Sequence, residues 1–280
     1  MDMRGISMEI LIAVLFGLIE GITEWLPISS TGHMILFQEF VSLSMSSEFM
    51  EMFLVVIQLG AILAVVLLFW SEIWPFSGKQ NGWIKKDIFS MWFKILAACI
   101  PAAVLELVFG DKMEELFYNY QTVSIMLIVV GILFILVENH EKGRQARVNE
   151  ITGITYQMAI YIGLFQLVAA LLPGTSRSGA TIIGGLVIGL SRTVAAEFTF
   201  YLAIPVMFGA SLIKVLKFGL SFSSLEAGVL FAGMATAFVV SVFVIRFLMG
   251  FIKKHDFKVF GWYRIALGVV VLAYFGILSK

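Results

Sequence analysis

Charge is scarce in this chain: Asp, Glu, Lys and Arg make up 14% of its residues, where soluble domains run near a quarter. What charge there is balances, 19 basic against 19 acidic residues, so no basic footprint for nucleic acid exists. A single cysteine, Cys99, excludes an internal disulfide and any CxxC chemistry. Apolar residues fill the space instead, at 60% of the chain and a mean hydropathy of +0.98. Residues 52–70 and 227–245 are each 19 long without Asp, Glu, Lys or Arg, and 120–137 adds a run of 18. Such runs cross a hydrocarbon core as helix, and they lack the polar stripe of a soluble core helix. The first apolar segment follows Arg4 as a signal peptide would. It is interrupted by Glu20 and Glu24 and has no small-x-small cleavage site, so it is expected to stay in the mature protein.

The reading is an all-α polytopic membrane protein, one membrane domain over 1–280. Six stretches are expected to span, about 52–70, 91–110, 120–137, 197–216, 227–248 and 259–278. Two further apolar regions, about 8–44 and 155–191, are cut by Pro27-Ile-Ser-Ser-Thr-Gly-His33 and Pro173-Gly-Thr-Ser-Arg-Ser-Gly179. Proline removes a helix hydrogen bond and clashes with the preceding turn, so each region reads as a re-entrant hairpin of two short helices. The two regions also match each other. Gly17-Leu-Ile-Glu20 pairs with Gly163-Leu-Phe-Gln166, Leu26-Pro27-x-Ser29-Ser30 with Leu172-Pro173-x-Thr175-Ser176, and Glu51 with Glu197, all at an offset of 146. Three spans separate the copies, so a repeat over about 8–137 is followed by an inverted one over about 155–278. Interrupted helices at matching positions of inverted repeats place a site near the bilayer midplane.

Thirteen Lys and Arg fall on one side of this topology (79, 85, 86, 94, 142, 144, 147, 192, 246, 253, 254, 258 and 264) and five on the other (4, 112, 214, 217 and 280), with Arg177 inside. The positive-inside rule makes the first side cytoplasmic. Both termini and the mouth of the first hairpin then face the exterior. The six tryptophans fall mostly near span ends, as interfacial anchors do.

Glu20 and Glu24 are one helical turn apart, hence on one face. Two carboxylates at membrane depth need a cation, a proton or a basic partner. Mg²⁺ suits them, because it binds through one or two carboxylates while sharing phosphate oxygens, and Ca²⁺ is the second candidate. Arg177, between apolar runs, offers a planar fork of donors for phosphate or carboxylate; the plainer reading is a structural Arg–Glu pair. Ser29, Ser30, Thr31, Ser176, Ser178 and Thr181 supply hydroxyls, some of them as helix caps. A capped helix N-terminus inside the bilayer is itself an anion site, and Gly32, Gly174 and Gly179 allow close backbone approach. His33 lies three residues after Ser30, so that on a helix both face one side, with the imidazole as general base or nucleophile.

The segment Glu20-Gly-Ile-Thr-Glu24-Trp-Leu-Pro-Ile-Ser-Ser-Thr-Gly-His33 resembles the first signature of the bacterial undecaprenyl-diphosphatase (bacitracin-resistance) family, and Leu172-Pro-Gly-Thr-Ser-Arg-Ser-Gly-Ala-Thr181 its second. Residues 53–60 and 197–205 also look like family segments, and the likeness covers essentially the whole chain. The resemblance implies a multi-pass phosphatase of the bacterial plasma membrane with its site open to the outer face. It would cleave undecaprenyl diphosphate to undecaprenyl phosphate and inorganic phosphate with a divalent cation, recycling the cell-wall lipid carrier and conferring bacitracin resistance. Carried over by motif, Glu20, Glu24, Ser30, His33 and Arg177 are the catalytic set, with Glu20 and Glu24 on the metal. Ser29, Thr31, Gly174, Ser176, Ser178 and Thr181 line the substrate. Partners are the polyprenyl diphosphate lipid and the bilayer, and a homodimer is the assembly to look for. Ser30, His33 and water stay open as the nucleophile. The rival class is an inverted-repeat transporter or flippase of a phosphorylated lipid, since fold does not fix function.

Overall fold

Each apolar region forms helix. A computed structural model describes residues 3–76 and 83–278, with the elements α1 (Met3–Thr23), α2 (Ser30–Phe40), α3 (Ser47–Leu68), a single turn α4 (Trp70–Ile73), α5 (Lys86–Phe117), α6 (Tyr120–Glu141), α7 (Tyr156–Leu171), α8 (Arg177–Val187), α9 (Arg192–Phe218), α10 (Ser224–Ile252) and α11 (Lys258–Ala273). Among the described residues β structure is limited to two isolated bridges, Phe76 to Ile84 and Val148 to Leu190. Among the described residues seven helices are long and apolar enough to cross a membrane, and six of them are the six expected. They overrun the uncharged runs because caps and charges sit at their ends: Ser46, Ser191 and Ser223 each accept a backbone N–H of the first turn.

The seventh is α1. The arms of both broken regions read as too short to span, and three of them are: α2 and α8 have 11 residues and α7 has 16. At 21 residues, α1 runs about 32 Å. Glu9 does not end it, because the buried carboxylate accepts the Ser44 N–H at 3.0 Å and so keeps its place inside the helix.

The halves interleave. α10 packs on α1 and α3, α7 on α5, α9 on α3, and α6 on α11. Without water between helices, close packing of small residues drives association. An added Cβ on Gly17 or Gly60 would run into the carbonyl oxygen of Gly233 or Met234 on α10. Gly60→Ala is therefore expected to cost about 1–3 kcal/mol by overpacking and to lower the thermal midpoint in detergent. Gly209→Ala, with nothing within 4 Å of the new Cβ, should leave that midpoint in place. Lys79 and Lys280, used in the charge count, lie outside the described residues.

Candidate active site

The two breaks, residues 24–29 and 172–176, each end on a strained serine. Ser29 (φ 73°) and Ser176 (φ 67°) are the non-glycine residues with positive φ among those described. Such conformations cost on the order of 1–3 kcal/mol and gather at functional sites. Each hydroxyl caps the helix it opens, accepting from Gly32 N–H at 3.4 Å and Gly179 N–H at 3.2 Å. Both are caps, yet they stand 147 residues apart, so the expected offset of 146 slips by one here. The second break holds one residue more between proline and cap. Gly174 takes it up at φ +90°, where a Cβ would strike the Val123 backbone. Structurally, Ser30 therefore corresponds to Arg177 and not to Ser176.

Glu24 stands at the junction of the halves. Its Oε1 accepts from Arg177 at 2.9 Å and its Oε2 accepts the Ser30 hydroxyl at 3.0 Å. The side chains of Arg177 and Glu24 are only 13% and 8% exposed, so the pair is largely out of solvent. A second guanidinium nitrogen of Arg177 donates to the Thr199 carbonyl at 3.2 Å. Ser178 donates to the Glu24 carbonyl at 3.2 Å and lies 3.1 Å from the Ser176 hydroxyl. Glu20, one turn earlier, is buried against the Glu24 carboxyl, and its Oε1 has no hydrogen-bond partner among the described residues. At the offset of 146 stand Gln166 and Ala170, so one half of the chain brings the carboxylates and the other the guanidinium.

A family model for the bacitracin resistance protein BacA matches residues 13–270. The chain belongs to that family. It is 63% identical over 267 residues to an undecaprenyl-diphosphatase of Desulfitobacterium hafniense, covering 95% of this chain and 96% of that protein. It is 62% identical to undecaprenyl-diphosphatase 1 of Clostridium acetobutylicum over 95% of this chain and 97% of that one. An undecaprenyl-diphosphatase of Enterococcus faecalis is 58% identical, over 94% and 96% of the two chains.

In this member of the BacA family three expectations need correction. Ser30 does not pair with His33. Its hydroxyl turns to Glu24, while His33 Nδ1 meets the Ser29 carbonyl at 2.7 Å and Nε2 meets the Tyr263 hydroxyl at 2.7 Å. Ser178 and Thr181 are buried beside Glu24 and Arg177, with hydroxyls bonded to protein groups; that of Thr181 lies 2.8 Å from Thr199 Oγ1 and donates to the Arg177 carbonyl. Trp25 is no interfacial anchor; it is buried at the first break, edge-on to Phe200. Arg264, counted with the cations expected at the cytoplasmic face, lies inside the bundle instead. It is fully buried and donates to the carbonyls of Pro27 (3.3 Å), Gly174 (2.8 Å), Thr175 (2.9 Å) and Met126 (3.4 Å), tying both breaks to α6. In the sequence it counted only as one of the cations on the cytoplasmic side; only the fold shows that the carbonyls freed by the breaks converge on it. Tyr263 carried no motif and was missed; Thr199 lies in the 197–205 family segment but was not singled out there. Thr31 stands half-buried in the first turn of α2.

The site fits a divalent cation. Two adjacent buried carboxyls, one with an unpaired oxygen, form a donor set of the kind Mg²⁺ takes. Among the described residues no cluster of three His, Cys, Asp or Glu side chains forms, so the remaining positions would fall to water and phosphate oxygens.

Proposed function

We propose that the chain is an integral membrane phosphatase that hydrolyses undecaprenyl diphosphate to undecaprenyl phosphate and inorganic phosphate, recycling the cell-wall lipid carrier and so conferring bacitracin resistance. The observation that carries this reading is Glu24 held between the Ser30 hydroxyl and the Arg177 guanidinium, within a bundle of membrane-length helices. Phosphoryl transfer asks mainly for positioning and for neutralised charge, and these groups supply both. The diphosphate oxygens compete with Glu24 for Arg177 and accept from first-turn N–H groups of α2 and α8. Ser30 Oγ attacks the terminal phosphorus, its proton passing to Glu24 Oε2, where it already points. The bond from phosphorus to the bridging oxygen breaks and undecaprenyl phosphate leaves. Water then attacks the phosphoserine, giving its proton to His33 while Glu24 returns one to Ser30. Glu20 and Glu24 would hold a divalent cation, which when bound neutralises charge on the phosphate oxygens.

We also read the halves as an inverted repeat. Exchanging α1 with α7, α3 with α9, α5 with α10 and α6 with α11 turns the α1–α10 pairing into α7–α5 and α3–α10 into α9–α5. With Arg264 withdrawn, the charge count is 12 (13 − 1) against 5, which still supports a first hairpin, and so a site, open to the outer face.

The test is phosphate release from a polyprenyl diphosphate by detergent-solubilised protein, with no membrane gradient. Release that EDTA abolishes and Mg²⁺ or Ca²⁺ restores is expected. A transporter would release none, and release indifferent to EDTA would remove the cation.

A further inference from the structure

We infer that Tyr263 is a positioning residue of this reaction, acting through His33; the inference rests on the phosphatase reading above. The Ser29 carbonyl can only accept. At 2.7 Å from it, His33 Nδ1 must carry hydrogen, which leaves the lone pair of a neutral imidazole on Nε2. The Tyr263 hydroxyl donates to that lone pair at 2.7 Å, and the two rings lie parallel, 6° apart with centroids 5.6 Å away. His33 is thus aimed from both ends.

Both supports are rigid for reasons the fold supplies. Ser29 is fixed as the cap of α2. Tyr263 neighbours Arg264 on α11, and Arg264 binds carbonyls of both breaks. Tyr263 is 46% exposed, so packing does not explain its place; the hydroxyl at its end does. That hydroxyl also suits the step assigned to His33. For Nε2 to take a proton from water, the Tyr263 O–H first turns off its lone pair. The Tyr263 oxygen is then the acceptor, with no proton lost from the phenol, and the imidazolium donates to Ser29 and Tyr263 together. Phenylalanine can neither aim the neutral ring nor receive that bond. The Arg264 guanidinium acts on this imidazole as a like charge, which makes an acceptor for the imidazolium more necessary.

The experiment measures steady-state phosphate release from a polyprenyl diphosphate in detergent. Tyr263→Phe is expected to lower kcat by about tenfold, a fraction of what general acid–base catalysis contributes, with KM held within about twofold. In a His33→Ala background the same change should cost nothing further, because coupled residues are non-additive. Tyr263→Gln, which keeps a donor and an acceptor, should retain more turnover than Tyr263→Phe. Unchanged kcat, an equal proportional loss in both backgrounds, a rise in KM alone, or equal loss in the Gln and Phe variants would each overturn the inference. Wild-type protein that releases no phosphate would overturn the phosphatase reading instead, so the two failures are distinguishable.

Discussion

Arg177→Ala is expected to lower phosphate release by about a thousandfold, the scale on which a phosphate-directed arginine or an oxyanion donor acts. Arg177 is the one cation bonded to the carboxylate pair in the described site, and it bridges the halves by joining Glu24 of the first to Thr199 of the second. Losing it removes the donor fork meant for the terminal phosphate. It also leaves Glu20 and Glu24 facing each other in a buried place with no basic partner. Arg177→Lys keeps the charge but not the planar geometry, and it should fall between the two because a point charge cannot serve Glu24 and Thr199 at once. Initial rates at saturating and limiting lipid diphosphate check this. Full turnover by the alanine variant would remove Arg177 from the site.

The second large effect is structural. Arg264→Ala strips donors from four carbonyls on three segments, Pro27, Gly174, Thr175 and Met126, and opens a cavity where a fully buried side chain stood. Each buried acceptor left unpaired costs about 1–3 kcal/mol. The expected total of about 3 kcal/mol or more should appear as a clear drop in thermal midpoint. Activity should fall with it, since the same bonds hold the caps at Ser29 and Ser176 in register. An Arg264→Ala protein with wild-type midpoint and turnover would mean that the breaks are held by something else.

Much of this was legible in the residues, for identifiable reasons. Membrane helices announce themselves by uncharged length, so six spans could be placed from composition alone, and the prolines marked the breaks because a lost N–H has local consequences. The contact of Arg177 with Glu24 followed from cost: two opposite charges in an apolar chain have few places to go but to each other. What could not be read is what depends on distance through space. Ser30 and His33 share a helix face by spacing, yet Glu24, one break away, is the nearer acceptor and takes the hydroxyl. Arg264 looked like an ordinary helix-end cation because the carbonyls it serves lie as far as 237 residues away in sequence. The one-residue difference between the two breaks was hidden by the similarity of Ser-Ser and Thr-Ser, and only backbone φ values reveal which serine is the cap. α1 proved longer than an arm of a broken hairpin should be, because a buried tertiary bond absorbs Glu9.

The two breaks, one from each half of the chain, meet at Glu24. The most direct measurement is a double-mutant cycle on phosphate release with Glu24→Gln, Arg177→Gln and the pair combined. Because both act on one phosphate, the double variant is expected to be little worse than the worse single variant. If the two losses multiply as independent factors, Glu24 and Arg177 do not share a site, and the account fails.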